Sequence, residues 1–170
     1  MLKESVVKRQ RKNSERGSYL LEASAITLLI LGLMFLVVDL SMALFTKATL
    51  QEAVQAGVRF AVTDRLASGQ SYMNDSIVQV VQQNSQGLLN GANGACKISI
   101  NYFNAVTGQA STGTGGDVIE VSVSGYQYTP VGILKSASPI SIAASSSDVL
   151  EQCPLGGCPA IANPSPPTCP

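Results

Sequence analysis

Residues 23–38 are sixteen consecutive uncharged, mostly apolar positions. Asp39 interrupts the run, apolar character resumes through Phe45, and an amphipathic pattern follows. In that pattern Leu50, Val54, Val58 and Ala61 form one stripe with Ala53, Gly57 and Phe60 beside it, while Lys47, Glu52 and Arg65 fall largely on the other side. This is helical spacing. No proline precedes Pro130, so nothing forces the segment to break. At the standard helical rise, residues 23–45 span roughly 35 Å, enough to cross a bilayer. Continuation to Leu66 would project the same helix ~30 Å further, into water. The pattern predicts a membrane helix that runs into a soluble one.

Beyond it, Ser68-Gly69-Gln70-Ser71 ends the long helix. A second helix is predicted over 72–86, with Ile77, Val80, Val81 and Leu88 at helical spacing and Gly87 as a stop. Residues 89–95, rich in Gly and Asn, read as a loop. Strict alternation predicts strands over 97–102, 118–126 and 140–145; in the second, Ile119, Val121 and Val123 share one face. A long flexible connection, 104–117, joins the first two strands, and a short helical turn is expected at 131–135. Three strands with one apolar face need a cover, which the outer half of the long helix and the second helix supply. The fold class expected is α+β: a transmembrane helix continuing as a spine packed on a small antiparallel sheet. The domain plan is a basic leader (1–17), a membrane helix (18–45), an extracytoplasmic domain (46–152) and a tail (153–170). That tail holds six of the eight prolines, cannot build a packed core and reads as extended.

Charge adds an orientation. The chain is neutral overall, but residues 1–17 carry six basic and two acidic side chains. A basic block before an apolar span places the N-terminus in the cytoplasm and the domain outside. The same arm read as a nucleic-acid contact is the weaker alternative, because the block abuts the span. Histidine is absent, which removes the commonest general base and metal ligand, so an enzyme is not expected. The Gly-rich stretch 112–116 lacks the lysine and following helix of a phosphate loop, so nucleotide binding is not expected; no small-molecule substrate and no cofactor are expected either. The four cysteines, Cys96, Cys153, Cys158 and Cys169, all lie on the outer side, where up to two disulfides with three possible connectivities are open. Cys153 and Cys158 could close a small loop, leaving Cys96 and Cys169 as the other pair by default. A metal site lacks a second ligand pair of suitable spacing.

The apolar span is longer than the core of a secretory signal, and the plausible processing point, Gly17, lies before the span rather than after it. Cleavage there would leave the helix on the mature protein with Ser18 as its N-terminus. Gly17-Ser18-Tyr19-Leu20-Leu21-Glu22 resembles the type IV prepilin signal, a glycine before the cut and a glutamate at mature position five. The wider stretch is similar to the TadE-like pseudopilins of the tight-adherence (Flp) pilus systems. The matching residues are Arg16-Gly17, Glu22, Asp39-Leu40, Ala43-Leu44-Phe45, Leu50 and the run Ala56-Gly57-Val58-Arg59-Phe60-Ala61. The resemblance covers 16–66 well and the strand-rich region loosely.

It implies removal of the leader by a prepilin peptidase and assembly with other pilin or pseudopilin subunits on an inner-membrane platform. The expected role is that of a minor subunit acting in initiation or at the tip, with a part in adhesion or secretion. Localisation would be single-pass in the cytoplasmic membrane, in contact with lipid, or within a pilus. Physics gives Glu22 a matching part. A carboxylate at the edge of hydrocarbon is costly, and the ammonium freed at Ser18 lies one turn away, at i, i+4, or would come from a neighbouring subunit. The plainer reading leaves Glu22 idle among headgroups. Asp39, 17 residues on, is expected at the outer interface, where a lone carboxylate can reach water. Gly57 would mark a close approach of another element, and Arg59 could pair with a carboxylate. Two other classes remain: an unprocessed, membrane-anchored periplasmic binding domain, and an anchored enzyme.

Overall fold

The computed structural model describes residues 2–63, 65–130, 139–151 and 161, of which 2–18 by backbone alone. The long apolar-to-amphipathic segment is one α-helix, α1 (Leu2–Val62). It ends four residues short of Leu66: the Thr63 backbone N–H and hydroxyl both donate to the Phe60 carbonyl, closing a turn. Chain contacts define two compact units, divided between Ser41 and Met42.

The first unit contains the apolar half of α1. Its large side chains are exposed almost without exception, Leu21 at 74% and Leu28 at 71%. The segment Tyr19–Val62 is long and apolar enough to cross a membrane. Its hydroxyls are already disposed for that environment. Ser24, Thr27 and Ser41 donate to the carbonyls of Leu21, Ala23 and Val37, and Thr46 to that of Met42, at 2.7–2.9 Å. Each hydroxyl is therefore satisfied by its own helix and asks nothing of lipid.

The second unit is built on the remainder of α1. Leu50, Ala53, Val54, Val58 and Ala61 of α1 join Met73, Ile77 and Val81 of α2 (Met73–Asn84) in one buried cluster. The cluster continues with Leu89 and with residues of all three strands: Tyr102 of β1 (Ile98–Phe103), Ile119, Val121 and Val123 of β2 (Val118–Tyr128), and Ile142 and Ala144 of β3 (Ile140–Val149). The sheet is antiparallel in the order β1-β2-β3. Its partners on the buried face include Ile100↔Val121 and Val123↔Ala144, while Asn101↔Glu120↔Ser147 and Ser99↔Ser122↔Ser145 line the opposite, polar face. This is the α+β plan the alternation predicts.

Several elements depart from expectation. Residues 91–95 form a short helix, α3 (Gly91–Ala95), where a loop is expected. Two things permit it: Gly94 lies directly against the Leu89 backbone, leaving no room for a Cβ, and Gln82 Nε2 donates to the carbonyls of Leu89 and Gly91. β2 runs two residues past its predicted end, and β3 four past its own. In β2 a bulge between Val123 and Tyr126, with Gly125 at φ 69°, shifts the phase of alternation. Tyr126 and Tyr128 then pack on the core face, which strict period-2 reading would assign to Gly125 and Gln127. The connection 104–117 is tied down rather than loose, by a Phe103↔Ala110 bridge and by Asn104, whose side chain accepts from the N–H groups of Val106 and Thr107. In the tail, Ile161 packs against the core and its carbonyl accepts from Asn74 N at 3.0 Å. The turn expected at 131–135 lies outside the described residues.

Candidate assembly segment and its seat

The residues singled out in the sequence distribute along α1. Gly17 and Ser18 fall within its helical backbone, and Glu22 is exposed one turn beyond Ser18. On a helix the i, i+4 spacing puts such positions on one face, about 6 Å apart along the axis. Asp39 departs from the expectation of a lone carboxylate reaching water: it is 5% exposed and already engaged in an interaction. Gly32, beside the exposed apolar side chains, is half-buried.

Further along, α2 packs directly against α1 at Gly57. A Cβ at Gly57 would stand 2.5 Å from Cγ2 of Val81 and 3.5 Å from Cγ2 of Ile77. Only a residue without a side chain lets the two helices meet at this distance. Arg59, two positions on, is exposed, so the run 56–61 turns one side to the core and one to solvent. Cys96, at the C-cap of α3, takes part in a disulfide. Cys153, Cys158 and Cys169, expected as disulfide candidates, lie outside the described residues.

Two polar locks were not foreseen. Asp117 is 4% exposed, and its Oδ2 accepts from the hydroxyl of Ser111, from Thr114 N at 2.7 Å and from Thr114 Oγ1 at 2.8 Å. The Ser111 hydroxyl, followed by that of Thr114, holds the Asp117 carboxyl below its usual range, against the opposing effect of burial. The backbone of the same residue clips β3: Leu150 N donates to the Asp117 carbonyl at 2.8 Å and Gly116 N to the Leu150 carbonyl at 2.9 Å. The signal was there in Thr114-x-x-Asp117, a turn pattern hidden in a stretch read only for its glycines. The second lock is Tyr102, whose hydroxyl donates to Asn74 Oδ1 at 2.6 Å, and whose pKa burial pushes up to about 12. Nothing local marks a tyrosine and an asparagine 28 residues apart as partners.

Among the described residues no group of three or more His, Cys, Asp or Glu side chains could hold a metal ion. What the arrangement provides is mechanical: an exposed apolar helix, four hydroxyls on it bonded to its own carbonyls, and a continuation locked into a folded domain. No curated protein and no solved structure matches the chain. The model of one family does match, that described as TadE-like protein, over residues 17–59. The match starts at Gly17 and ends at Arg59, so it takes in the apolar half of α1 and nearly all of its seat in the core. The segment that runs from the apolar helix into the domain is therefore similar to the TadE-like family over these residues.

Proposed function

We propose that the chain is a minor pilin-like subunit of a tight-adherence pilus, cut after Gly17 by a prepilin peptidase and held in the cytoplasmic membrane by α1 until it is assembled. The observation that carries this reading is the coincidence of the TadE-like match with a single unbroken helix whose first half is bare and apolar and whose second half is the spine of a folded domain. A bare apolar helix is stable in lipid or among like helices and nowhere else. Transfer from the one environment to the other keeps its apolar surface covered throughout. Glu22 then acts at the helix start, paired with the new ammonium of Ser18 on its own chain or a neighbour's. The domain, whose core takes in residues 50–61 of the helix, then acts at a tip or an initiating position. The basic leader sets the N-terminus in the cytoplasm.

The test is the N-terminal sequence and intact mass of the protein isolated from membranes. A chain starting at Ser18 is expected; a chain retaining Met1 would leave a plain membrane anchor, the second reading. A Glu22→Ala variant separates the two further. It should be processed and folded yet fail to enter pili, whereas an anchored binding domain would keep its function. Because Glu22 is exposed and lies 28 residues before the first core residue, Leu50, the domain's melting temperature should not move.

A further inference from the structure

A groove of about 210 Å³ lies wholly within the second unit, lined by Ala43, Leu44 and Lys47 of α1 and by Ile140, Ser141, Ile142 and Ala143 at the start of β3. We infer that this groove holds one anionic phospholipid of the leaflet on the C-terminal side of the membrane helix, its phosphate on Lys47 and the first part of an acyl chain along Leu44 and Ile140.

Three observations converge. The first is depth. From Ala23, residue 44 lies about 32 Å along the helix, close to the ~30 Å thickness of bilayer hydrocarbon. Lys47 is three residues, about 4.5 Å, further on, at the level of lipid phosphates. The second is chemistry. Leu44 and Ile140 are 59% and 45% exposed, and they form the apolar walls of the groove. Lys47 is the first cation after the apolar run and is exposed, and no ion pair ties it among the described residues. Glu52, the next carboxylate on the helix, stands five positions away, off the i+3 and i+4 rows where it could neutralise Lys47. The third is shape. Ser141 and Ala143 are small and exposed, so the floor of the groove is open beside the apolar wall. An apolar slot with one ammonium at phosphate depth matches the two ends of a phospholipid, and its single charge favours an anionic headgroup over a zwitterionic one. The inference needs only that α1 crosses a membrane, and it does not depend on pilus assembly.

The experiment uses the full chain in nanodiscs of mixed phosphatidylcholine and phosphatidylglycerol with matched acyl chains, released into detergent and weighed by native mass spectrometry. One phosphatidylglycerol per chain should be retained, about tenfold over phosphatidylcholine. Lys47→Glu should abolish that preference, and Ile140→Asp should lower retention of both lipids. Both sites are exposed, so far-UV circular dichroism should stay unchanged and separate loss of lipid from loss of fold. Equal retention of the two lipids, or a Lys47→Glu chain that keeps its preference, would overturn the inference. So would a lipid-free dimer that Ile140→Asp dissociates, since a second copy would then occupy the groove.

Discussion

Gly57 on α1 and Val81 on α2 are so close that a single added methyl at Gly57 would sit 2.5 Å from Val81 Cγ2. Val81 is fully buried and β-branched, so it cannot swing aside without displacing its own neighbours. Alanine at 57 would gain about 1 kcal/mol of helix propensity and lose about 1–3 kcal/mol to overpacking. The clash should win. Gly57→Ala is expected to lower the thermal midpoint of the detergent-solubilised chain, and Gly57→Val to lower it more. Adding Val81→Ala to Gly57→Ala should cost less than the two single changes together, the non-additivity of residues in contact.

Asp117 makes the domain sensitive to acid. Its folded pKa is depressed, so its contribution to stability is complete above the unfolded carboxylate value of about 3.9 and is lost as pH falls through the lower, folded value. Asp117→Asn keeps the shape but loses the charge that Ser111 and Thr114 were ordered to meet. The variant should melt lower than the parent at pH 7, and the gap should narrow as pH is taken below 4. A constant gap across that range would mean that the hydroxyls do not sense the charge.

Tyr102 works in the opposite direction. Burial raises its pKa to about 12, so the folded state holds its proton more tightly than the unfolded chain does. That stability is complete below about pH 10, the unfolded tyrosine value, and disappears as pH rises to about 12. Tyr102→Phe removes the hydroxyl bonded to Asn74 and should cost about 1 kcal/mol near neutrality. Its loss of stability between pH 10 and 12 should be shallower than the parent's, read by absorbance at the tyrosinate band alongside the unfolding midpoint.

Ile161 fastens the tail. It packs on the core beside Gly113, where a Cβ would meet both Ile161 Cδ1 and Tyr102 Cδ1 at 2.8 Å, and its carbonyl receives Asn74 N. Ile161→Ala should destabilise the domain by about 1–2 kcal/mol, less than a fully buried isoleucine, because the site is half-buried. Truncation after Glu151 should cost more, since it removes this contact and every possible partner of the Cys96 disulfide as well. Limited proteolysis at equal enzyme ratio, with and without reductant, would order the three forms.

Most of the architecture was legible because it is written in periodicity. The apolar run 23–38, the stripe Leu50–Val54–Val58–Ala61 and the alternation around Val121 each need only neighbouring residues to be read, and each maps to a core face or a bare one. Gly57 was legible for the same reason, as a gap in an otherwise continuous stripe. The phase shift after Val123 was not, because the bulge at Gly125 is set by what the strand must face: Tyr126 opposite Ile142 and its ring 5.2 Å from the Lys97 ammonium. Likewise α3 depends on Gln82 reaching two carbonyls across a turn, and the 104–117 connection is closed by a carboxylate from its own far end.

Sequence alone therefore determined which segment is long and apolar enough to cross a membrane, where the chain must fold, and which segment resembles the TadE-like family, because hydrophobic pattern is a local property that survives any arrangement of the rest. Tertiary structure decided which polar groups are satisfied and by whom. Tyr102 joined to Asn74 and Ile161 drawn onto the core require residues distant in the chain to arrive at one place, and even the local turn from Ser111 to Asp117 matters because packing buries its carboxylate. A buried polar group must find a partner, but the partner's identity is fixed only when packing brings the candidates within about 3 Å.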